Sequence, residues 1–542
     1  MAKVYGLFFG EHNYSTSLII DGKVEYAIED EKLLRVKSCN YLHKSSIKSL
    51  EQIEQKTGIT LADVDLIVVS DLTLARRKWK YSSEENELVQ NYLQKINTTG
   101  KPVKIVTHHQ AHAASAYYLS GFKGKTLVVT SDGGSYEHQY GSIYLAENGK
   151  MSLFKPSSKI DEGSLGNIYG NICNYMGFRG LKDEGKVMGM APDGHYVSHL
   201  YKSFKKLAEY EGNLKFKNGE NTTLIHFTLD RMREEGWFDT LEKKKIAAYN
   251  LQKAFTDNLV EYIKDIKQHF PDYNKLCLAG GVFANVKTNQ HINEECGFDE
   301  IFIAPPMGDE GCSLGAAILG SVELGDWEHK PTSDVFFGMD YSDKEIAHEF
   351  ETWPNLEIDK DHIDYEYLAD LLIDRKIVAI HQGKLEFGPR ALGNRSVIME
   401  TTHPENHAYL NKRFERNEVM PFAPFTMKEK ANEVFHITKS MFAAEFMTLC
   451  YTVRDKWASL IPAVIHKADN TARPQLVTKE KHSFFYNICN AYYEKTGIPV
   501  LLNTSFNGHG EPIVDTPAQA FSHLNKGSID YLVIGGKIYK KK

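Results

Sequence analysis

Apolar and polar residues alternate along KVYGLFFGEHNYSTSLII and again along KVEYAIEDE, with Asp21-Gly22 between them. Alternation on both sides of a turn dipeptide predicts a β-hairpin. The arrangement returns at 126–154, TLVVTSDGGSYEHQYGSIYLAENGKMSLF. There an apolar strand runs into a polar glycine-bearing loop, and a second strand leads to a turn at Asn148-Gly149. Two such units suggest an internal duplication. SIKSLEQIEQKTGI predicts a helix and DLIVVS an apolar strand, an alternation that favours an α/β sheet. Ile246, Leu251, Phe255, Leu259, Ile263, Ile266 and Phe270 recur at helical spacing and predict a structural helix over 246–270.

Two related α/β halves clasping a nucleotide are the plan of the actin/hexokinase/sugar-kinase superfamily, and chemistry collects where the strands end. KLCLAGGVFANVKTNQ predicts a buried strand that stops at Gly280-Gly281 before a helix. Glycines there let backbone amides approach a phosphate. EIFIAPPMGDEGCSLGAAILG repeats the plan and puts Asp309 at a strand end, where open α/β sheets bind ligands. Asp132, in TSDGGS, occupies the same kind of position. THHQAHAASAYY predicts a helix with His108 and His112 one turn apart on one face, where they can share a divalent metal. His109 could replace one of them at i,i+3 spacing, and a bare HxxxH is a weak motif. Two imidazoles with Asp132 and Asp309 make a mixed N/O donor set suited to Fe(II), Mn(II) or Zn(II). The plainer reading of the aspartates is a helix cap or a water-bridged Mg-nucleotide.

HKPTSDVFFGMDYSDKEI predicts a linker and a fresh helix start, so domains over 1–335 and 336–542 are expected. YLADLLIDRK then predicts a helix and IVAIHQG a strand. KLEFGPRALGNRSVIM sets Lys384, Arg390 and Arg395 among glycines in a tight loop. Guanidinium forks and backbone amides are what a phosphate dianion needs, so an anion site is expected there. HKADNTARPQLV adds His466, Lys467, Arg473 and Gln475, and LLNTSFNG ends an apolar strand in Asn503, Thr504, Ser505 and Asn507. The glycine-dense stretch 163–192 by itself predicts only turns.

A chain of 542 residues, 42% hydrophobic and 25% charged, is an ordinary globular protein of two or three domains. No apolar run approaches the roughly 18 residues of a membrane span, and MAKVYGLFFGEHNYS predicts a strand, not a signal peptide. Seven cysteines without a CxxC argue against a disulfide framework or a zinc ribbon and for a reducing cytoplasm. A net charge of −7 gives no general attraction for nucleic acid, although a local basic groove is compatible with it.

Taken in order, HHQAHAASA, SDGG, DEGKVMGMAP, LAGGVFAN, PPMGDEG, FGPRALGNRS, PFAP, TARPQ and LLNTSFNGHGEPIV resemble the NodU/CmcH family of O-carbamoyltransferases over nearly the whole chain. The resemblance implies two domains. One is a duplicated actin/hexokinase-like domain, similar to the tRNA threonylcarbamoyl transferase. The other is a YrdC-like α+β domain that forms carbamoyl-AMP from carbamoyl phosphate and Mg-ATP. It further implies that His108, His112, Asp132 and Asp309 hold a metal, iron above all, and that Gly280, Gly281 and Asn285 contact the nucleotide. Lys384, Arg390, Arg395, Ser396, Arg473, Asn503 and Ser505 would cradle carbamoyl phosphate and the adenylation transition state. His12 would take the proton of the acceptor hydroxyl, which a sugar, a natural product or a hydroxymethyl nucleotide could supply.

Two residues depart from the family pattern. Asn13 stands where an Asp usually follows the histidine, leaving Glu11 as the acidic neighbour, and Met420 stands where Arg usually precedes PFAP. The alternative activity is threonylcarbamoyl transfer to tRNA, which the acidic balance does not favour. A nucleotide-binding regulator without chemistry would leave the HxxxH pair and the arginine loops without a purpose. Acceptor specificity is expected in loops such as 70–100 and 195–240, and the lysines of KIYKKK in a solvated tail.

Overall fold

The computed structural model describes residues 2–10, 12–39, 47–70, 94–133, 140–156, 164–180, 182–217, 222–416 and 420–542. The chain divides into two compact units, Met1–Leu34 with Ser38–Thr332, and Arg35–Lys37 with Ser333–Lys542.

In the first unit, β1 (Lys3–Phe8), β2 (Ser15–Ile20), β3 (Lys23–Glu29), β4 (Leu66–Ser70) and β5 (Val103–Val106) form a sheet in the order β3-β2-β1-β4-β5. A second sheet repeats it. β6 (Thr126–Ser131), β7 (Gly141–Glu147) and β8 (Lys150–Pro156) precede a small hairpin of β9 (Glu209–Gly212) and β10 (Lys215–Lys217). β11 (Lys275–Ala279) and β12 (Glu300–Ile303) then complete the order β12-β11-β6-β7-β8. In each sheet the first strand is antiparallel to the second and parallel to the fourth. The duplication foreseen from the two hairpins is therefore present strand for strand. Asp21 and Gly22 have φ of 48° and 70°, and Asn148 and Gly149 have 51° and 80°. Positive φ at both central positions matches the right-handed twist of the flanking strands, which is why Asp-Gly and Asn-Gly stand there.

The central strands β1, β4, β6 and β11 are almost wholly buried, as strands covered on both faces must be. Helices His108–Ser120 and Gly311–Leu324 pack on one another and run through the core. Apart from Gln110, every residue of the first is buried, so its small side chains serve close approach. Contact is tightest at Gly315, where a Cβ would lie 1.9 Å from the Ala111 carbonyl oxygen. Leu241–His269 is the longest helix of the unit among the described residues.

The stretch 195–240 proves not to be a loop. It holds helices Ser198–Leu207 and Thr222–Glu234 around the β9-β10 hairpin. Leu200, Phe204 and Leu207, spaced four and three apart, turn the apolar face of the first helix inward, which the scattered charges of the segment conceal. Most of 70–100 lies outside the described residues.

The second unit is built on β13 (Leu356–Lys360), β14 (Val378–His381), β15 (Arg395–Met399) and β16 (Ala423–Met427), with a short pair β17 (Tyr451–Thr452) and β18 (Thr471–Ala472). β19 (Gln475–Val477), β20 (Val500–Ser505), β21 (Tyr531–Ile534) and β22 (Lys537–Lys541) follow. All but the short pair form one mixed sheet, β13-β22-β21-β14-β15-β20-β16-β19. Helices Tyr365–Ile373 and Ser483–Thr496 cover one face of it through a core that includes Leu372, Ile380, Ile398, Phe425, Phe485 and Leu501. KIYKKK is not a solvated tail but β22, paired with β13 and β21, because Ile538 and Tyr539 are buried and Lys540 meets Asp359 at 2.6 Å.

Replacing Gly315 by Val should destabilise the fold near the top of the roughly 1–3 kcal/mol range for overpacking, because the obstacle is backbone. Thermal unfolding followed by circular dichroism checks this; an unchanged midpoint would show that the two helices can separate without loss.

Candidate metal centre and anion site

β6 ends at Ser131, so Asp132 is delivered at its C-terminal edge, and Asp309 lies in the turn between β12 and helix Gly311–Leu324. Thr107 caps the His108–Ser120 helix by accepting from the Gln110 amide at 3.2 Å. His108 and His112, one turn apart, converge on both aspartates. Their Nε2 atoms are 3.1 Å apart; each lies 3.2 Å from Asp132 Oδ2 and 3.5 Å from Asp309 Oδ1. Both rings are buried, and the four donor atoms all fall within 4.8 Å of one another.

These separations test the fit to a metal directly. Bonds of about 2.1 Å put neighbouring donors about 3.0 Å apart in an octahedron and about 3.4 Å apart in a tetrahedron. The His–His and His–Asp separations of 3.1–3.5 Å match that range. The other oxygen of Asp132 is already committed: Oδ1 accepts from the amides of Gly133 at 2.7 Å and Gly281 at 3.2 Å. Only Oδ2 faces the imidazoles. Burial works against ionisation of Asp132, but the hydrogen bonds from His108 and His112 outweigh it and hold the carboxyl well below its usual range. Burial likewise opposes charge on His112, and its bonds to Asp132 and Asp309 more than compensate, raising it above the usual imidazole value.

His109 points elsewhere, with Nδ1 3.0 Å from Thr130 Oγ1, so the pair is His108 and His112. Cys312, which the spacing did not reveal, places its thiol near the same two histidines. His12 Nδ1 stands 3.7 Å from Asp309 Oδ2. Asn13 has φ of 56° and donates its backbone amide to Cys39 O at 3.1 Å. Asn and Asp share tolerance of that left-handed conformation, so the backbone accepts either. Glu11 lies outside the described residues; the carboxylate seen beside His12 is that of Asp309.

Gly280 has φ of 105°, and a Cβ there would meet the Ser131 carbonyl oxygen at 2.1 Å, so only glycine fits. Asn285 has a structural task. Its Oδ1 caps helix Val286–Glu295 by accepting from the Thr288 amide at 3.0 Å, and its Nδ2 donates to Gln252 Oε1 at 2.9 Å. Gly281 thus braces Asp132 and Asn285 caps the helix that follows, with their polar groups engaged inside the unit.

In the second unit the apolar sheet face continues into a polar end. Ser396 pairs with Ser505 across β15 and β20, and Asn503, two residues earlier, shares their face. Asn503 Nδ2 donates to Gln475 Oε1 at 2.8 Å and to Ala391 O at 3.1 Å, while Gln475 Nε2 donates to Leu392 O at 2.7 Å. Those bonds tie the loop carrying Arg390 to β19 and β20. Among the described residues, Ser396 Oγ, Asn503 Oδ1 and Arg473 Nε are buried and have no hydrogen-bond partner. Burial lowers the Arg473 guanidinium below its usual range, against a small opposing effect of Cys450. A buried cation and two orphaned oxygens at one end of a sheet are the marks of a polar ligand site.

Arg395 does not share in it as expected. Its fully buried guanidinium donates to the carbonyls of Gln382 (2.7 Å), Gly383 (3.2 Å) and Asn394 (3.1 Å), which makes it a clamp on its own loop. Lys384 contributes its carbonyl to that loop, accepting from Asn394 Nδ2 at 2.8 Å. Sequence reasoning missed Arg416, whose guanidinium donates to Thr504 Oγ1 at 3.1 Å, Ser505 O at 2.6 Å and Asn507 Oδ1 at 3.1 Å. An arginine therefore reaches this loop from four residues before Met420, whose own carbonyl accepts from His407.

Comparison with known proteins gives the site its context. Residues 72–318 match the family model described as Carbamoyltransferase N-terminus, and 369–541 match Carbamoyltransferase C-terminus. Nodulation protein NolNO of Sinorhizobium fredii is 32% identical over 98% of this chain and 79% of its own. Nodulation protein NolO of Bradyrhizobium diazoefficiens is 31% identical over 81% of this chain and 79% of its own. Among solved structures, full-length HypF in its phosphate- and nucleotide-bound form is 16% identical, with a TM-score of 0.35 over 60% of this chain and 56% of that one. With both family models matched in order and relatives spanning most of its length, this chain belongs to the carbamoyltransferase family and is an enzyme of that class.

Proposed function

We propose that this enzyme is an ATP-dependent O-carbamoyltransferase. Its C-terminal unit, YrdC-like in this reading, makes carbamoyl-AMP, and its N-terminal unit, of the actin/hexokinase-like class, transfers the carbamoyl group to a hydroxyl. The observation that carries the proposal is the convergence of His108, His112, Asp132 and Asp309 beside His12. In the first step water releases carbamate from carbamoyl phosphate as phosphate departs. Carbamate oxygen then attacks the α-phosphorus of ATP and expels pyrophosphate. Lys384, Arg390 and Arg473 supply positive charge for these phosphates, Ser396 and Asn503 offer their unpartnered oxygens to the carbamoyl amide, and Ser505 lies beside them.

The N/O donors suit Fe(II) first and Mn(II) or Zn(II) otherwise, and such an ion supplies Lewis-acid charge to phosphate and carbonyl oxygens. The amides of Gly133 and Gly281 keep Asp132 oriented toward it. His12 has Nδ1 toward Asp309, so Nε2 is the atom that takes the acceptor proton as the hydroxyl oxygen attacks the carbamoyl carbon and AMP leaves. The acceptor is a small-molecule, sugar or nucleotide alcohol. A net charge of −7 weighs against tRNA, the substrate of the threonylcarbamoyl alternative. The seven cysteines are buried thiols outside any disulfide, as suits a cytoplasmic enzyme, and no helix among the described residues is long and apolar enough to cross a membrane.

Incubated anaerobically with Fe(II), Mg-ATP and carbamoyl phosphate but no acceptor, the enzyme should yield carbamoyl-AMP and pyrophosphate by mass spectrometry. Intact ATP with the metal loaded would remove carbamoyl phosphate as the donor. His12→Ala should still form carbamoyl-AMP but lose about 10²–10⁴-fold in transfer to the alcohol; transfer at the wild-type rate would exclude His12 as the base. His112→Ala or Asp309→Asn should weaken metal binding by more than the roughly 10–100-fold typical of losing a supporting group. Elemental analysis after dialysis reads this, and full occupancy in both variants would place the ion elsewhere.

A further inference from the structure

The loop between β14 and β15 has the look of a phosphate cradle, yet it already holds an anion. Glu386 is completely buried, and its Oε1 accepts from the backbone amides of Leu392 at 2.7 Å, Asn394 at 2.8 Å and Arg395 at 3.1 Å. Three amides converging on one oxygen form an anion-binding nest. The occupant is itself held rigidly. Leu385 and Phe387 donate to Met339 O at 3.0 Å and Val335 O at 2.8 Å, and Gly338 donates to Leu385 O at 2.8 Å. The other side of the loop is fixed too: Gly393, at φ of 126°, leaves no room for a Cβ, which would sit 2.2 Å from His482 Nε2. Glu386 Oε2 has no hydrogen-bond partner among the described residues, and the Glu386 charge acts on the buried Arg395 guanidinium, helping to offset the cost of burying it.

We propose that Glu386 is an internal stand-in for phosphate, a positioning residue that shapes the 388–395 loop so that Arg390 and Lys384 face the donor. With the nest filled, the amides of 392, 394 and 395 are closed to the donor's phosphate, and recognition falls to side chains. One acceptor oxygen does the shaping. Glutamine keeps that oxygen and puts an NH2 where Oε2 has no donor to lose, whereas alanine empties the nest and aspartate draws the oxygen back by one methylene.

The inference rests on the proposed carbamoyl phosphate chemistry of this unit, and titration calorimetry of the full chain with carbamoyl phosphate separates the two. Absence of binding to the wild-type enzyme would fault that chemistry and leave Glu386 without a donor to serve. Given wild-type binding, Glu386→Ala and Glu386→Asp should raise Kd, and KM for carbamoyl phosphate, by about 10–100-fold, the scale of a misplaced binding group. Glu386→Gln should stay within about threefold of wild type, and His12-dependent transfer from supplied carbamoyl-AMP should be unchanged in all three. If the alanine variant does not fold, the aspartate variant carries the test. Unchanged affinity in Glu386→Asp, or a loss in Glu386→Gln equal to that in Glu386→Asp, would overturn the positioning role.

Discussion

Placing two partly buried carboxylates against two buried imidazoles within a few ångströms is costly unless each lone pair and proton has a partner. Asp132 resolves this by dividing its oxygens, one to the amides of Gly133 and Gly281 and one to the two histidine rings. That division constrains the surrounding unit. The Gly281 amide reaches Asp132 only because Gly280 turns through a left-handed conformation against Ser131. The rings arrive only because helix His108–Ser120 is drawn against helix Gly311–Leu324, where Gly315 has no side chain. The small residues of both helices are the packing counterpart of this His/Asp cluster.

Charge is handled differently in the second unit. A metal centre gathers oppositely charged groups, whereas an anion site must keep cations available. Arg395, Arg416 and Glu386 are charged groups committed to holding loops, through backbone carbonyls or amides. Arg473 is the contrasting case, with Nε unpartnered among the described residues and its guanidinium lowered by burial. Committed charges hold the loops, whereas an uncommitted guanidinium keeps its donors for a ligand. This distinction separates charges that hold loops from one left without a partner, which the sequence alone does not tell apart.

Much of the N-terminal architecture is readable because its signals are local. A period of two, followed by Asp-Gly or Asn-Gly and another period of two, specifies a hairpin wherever it occurs, and finding it twice exposes the duplication. Strand ends are legible for the same reason, so Asp132 and Asp309 stood out. The failures share a different cause. The segment 195–240 hid amphipathic helices among charges, and the lysines of KIYKKK masked the buried Ile538 and Tyr539 that make it a strand. Each needed a partner surface that the segment itself does not contain.

The sequence by itself determined the hairpins, the strand-end aspartates, the four-residue histidine spacing and the two carbamoyltransferase parts, because all depend on residues near one another in the chain. Tertiary structure decided which atoms meet. It chose His108 over His109, since helix rotation gives His109 to Thr130. It made Asp309 the carboxylate beside His12, turned Arg395 inward and assigned Asn285 to a cap. Hydrogen bonds between residues far apart in sequence depend on helix rotation and strand register, and those are set by packing across the whole unit.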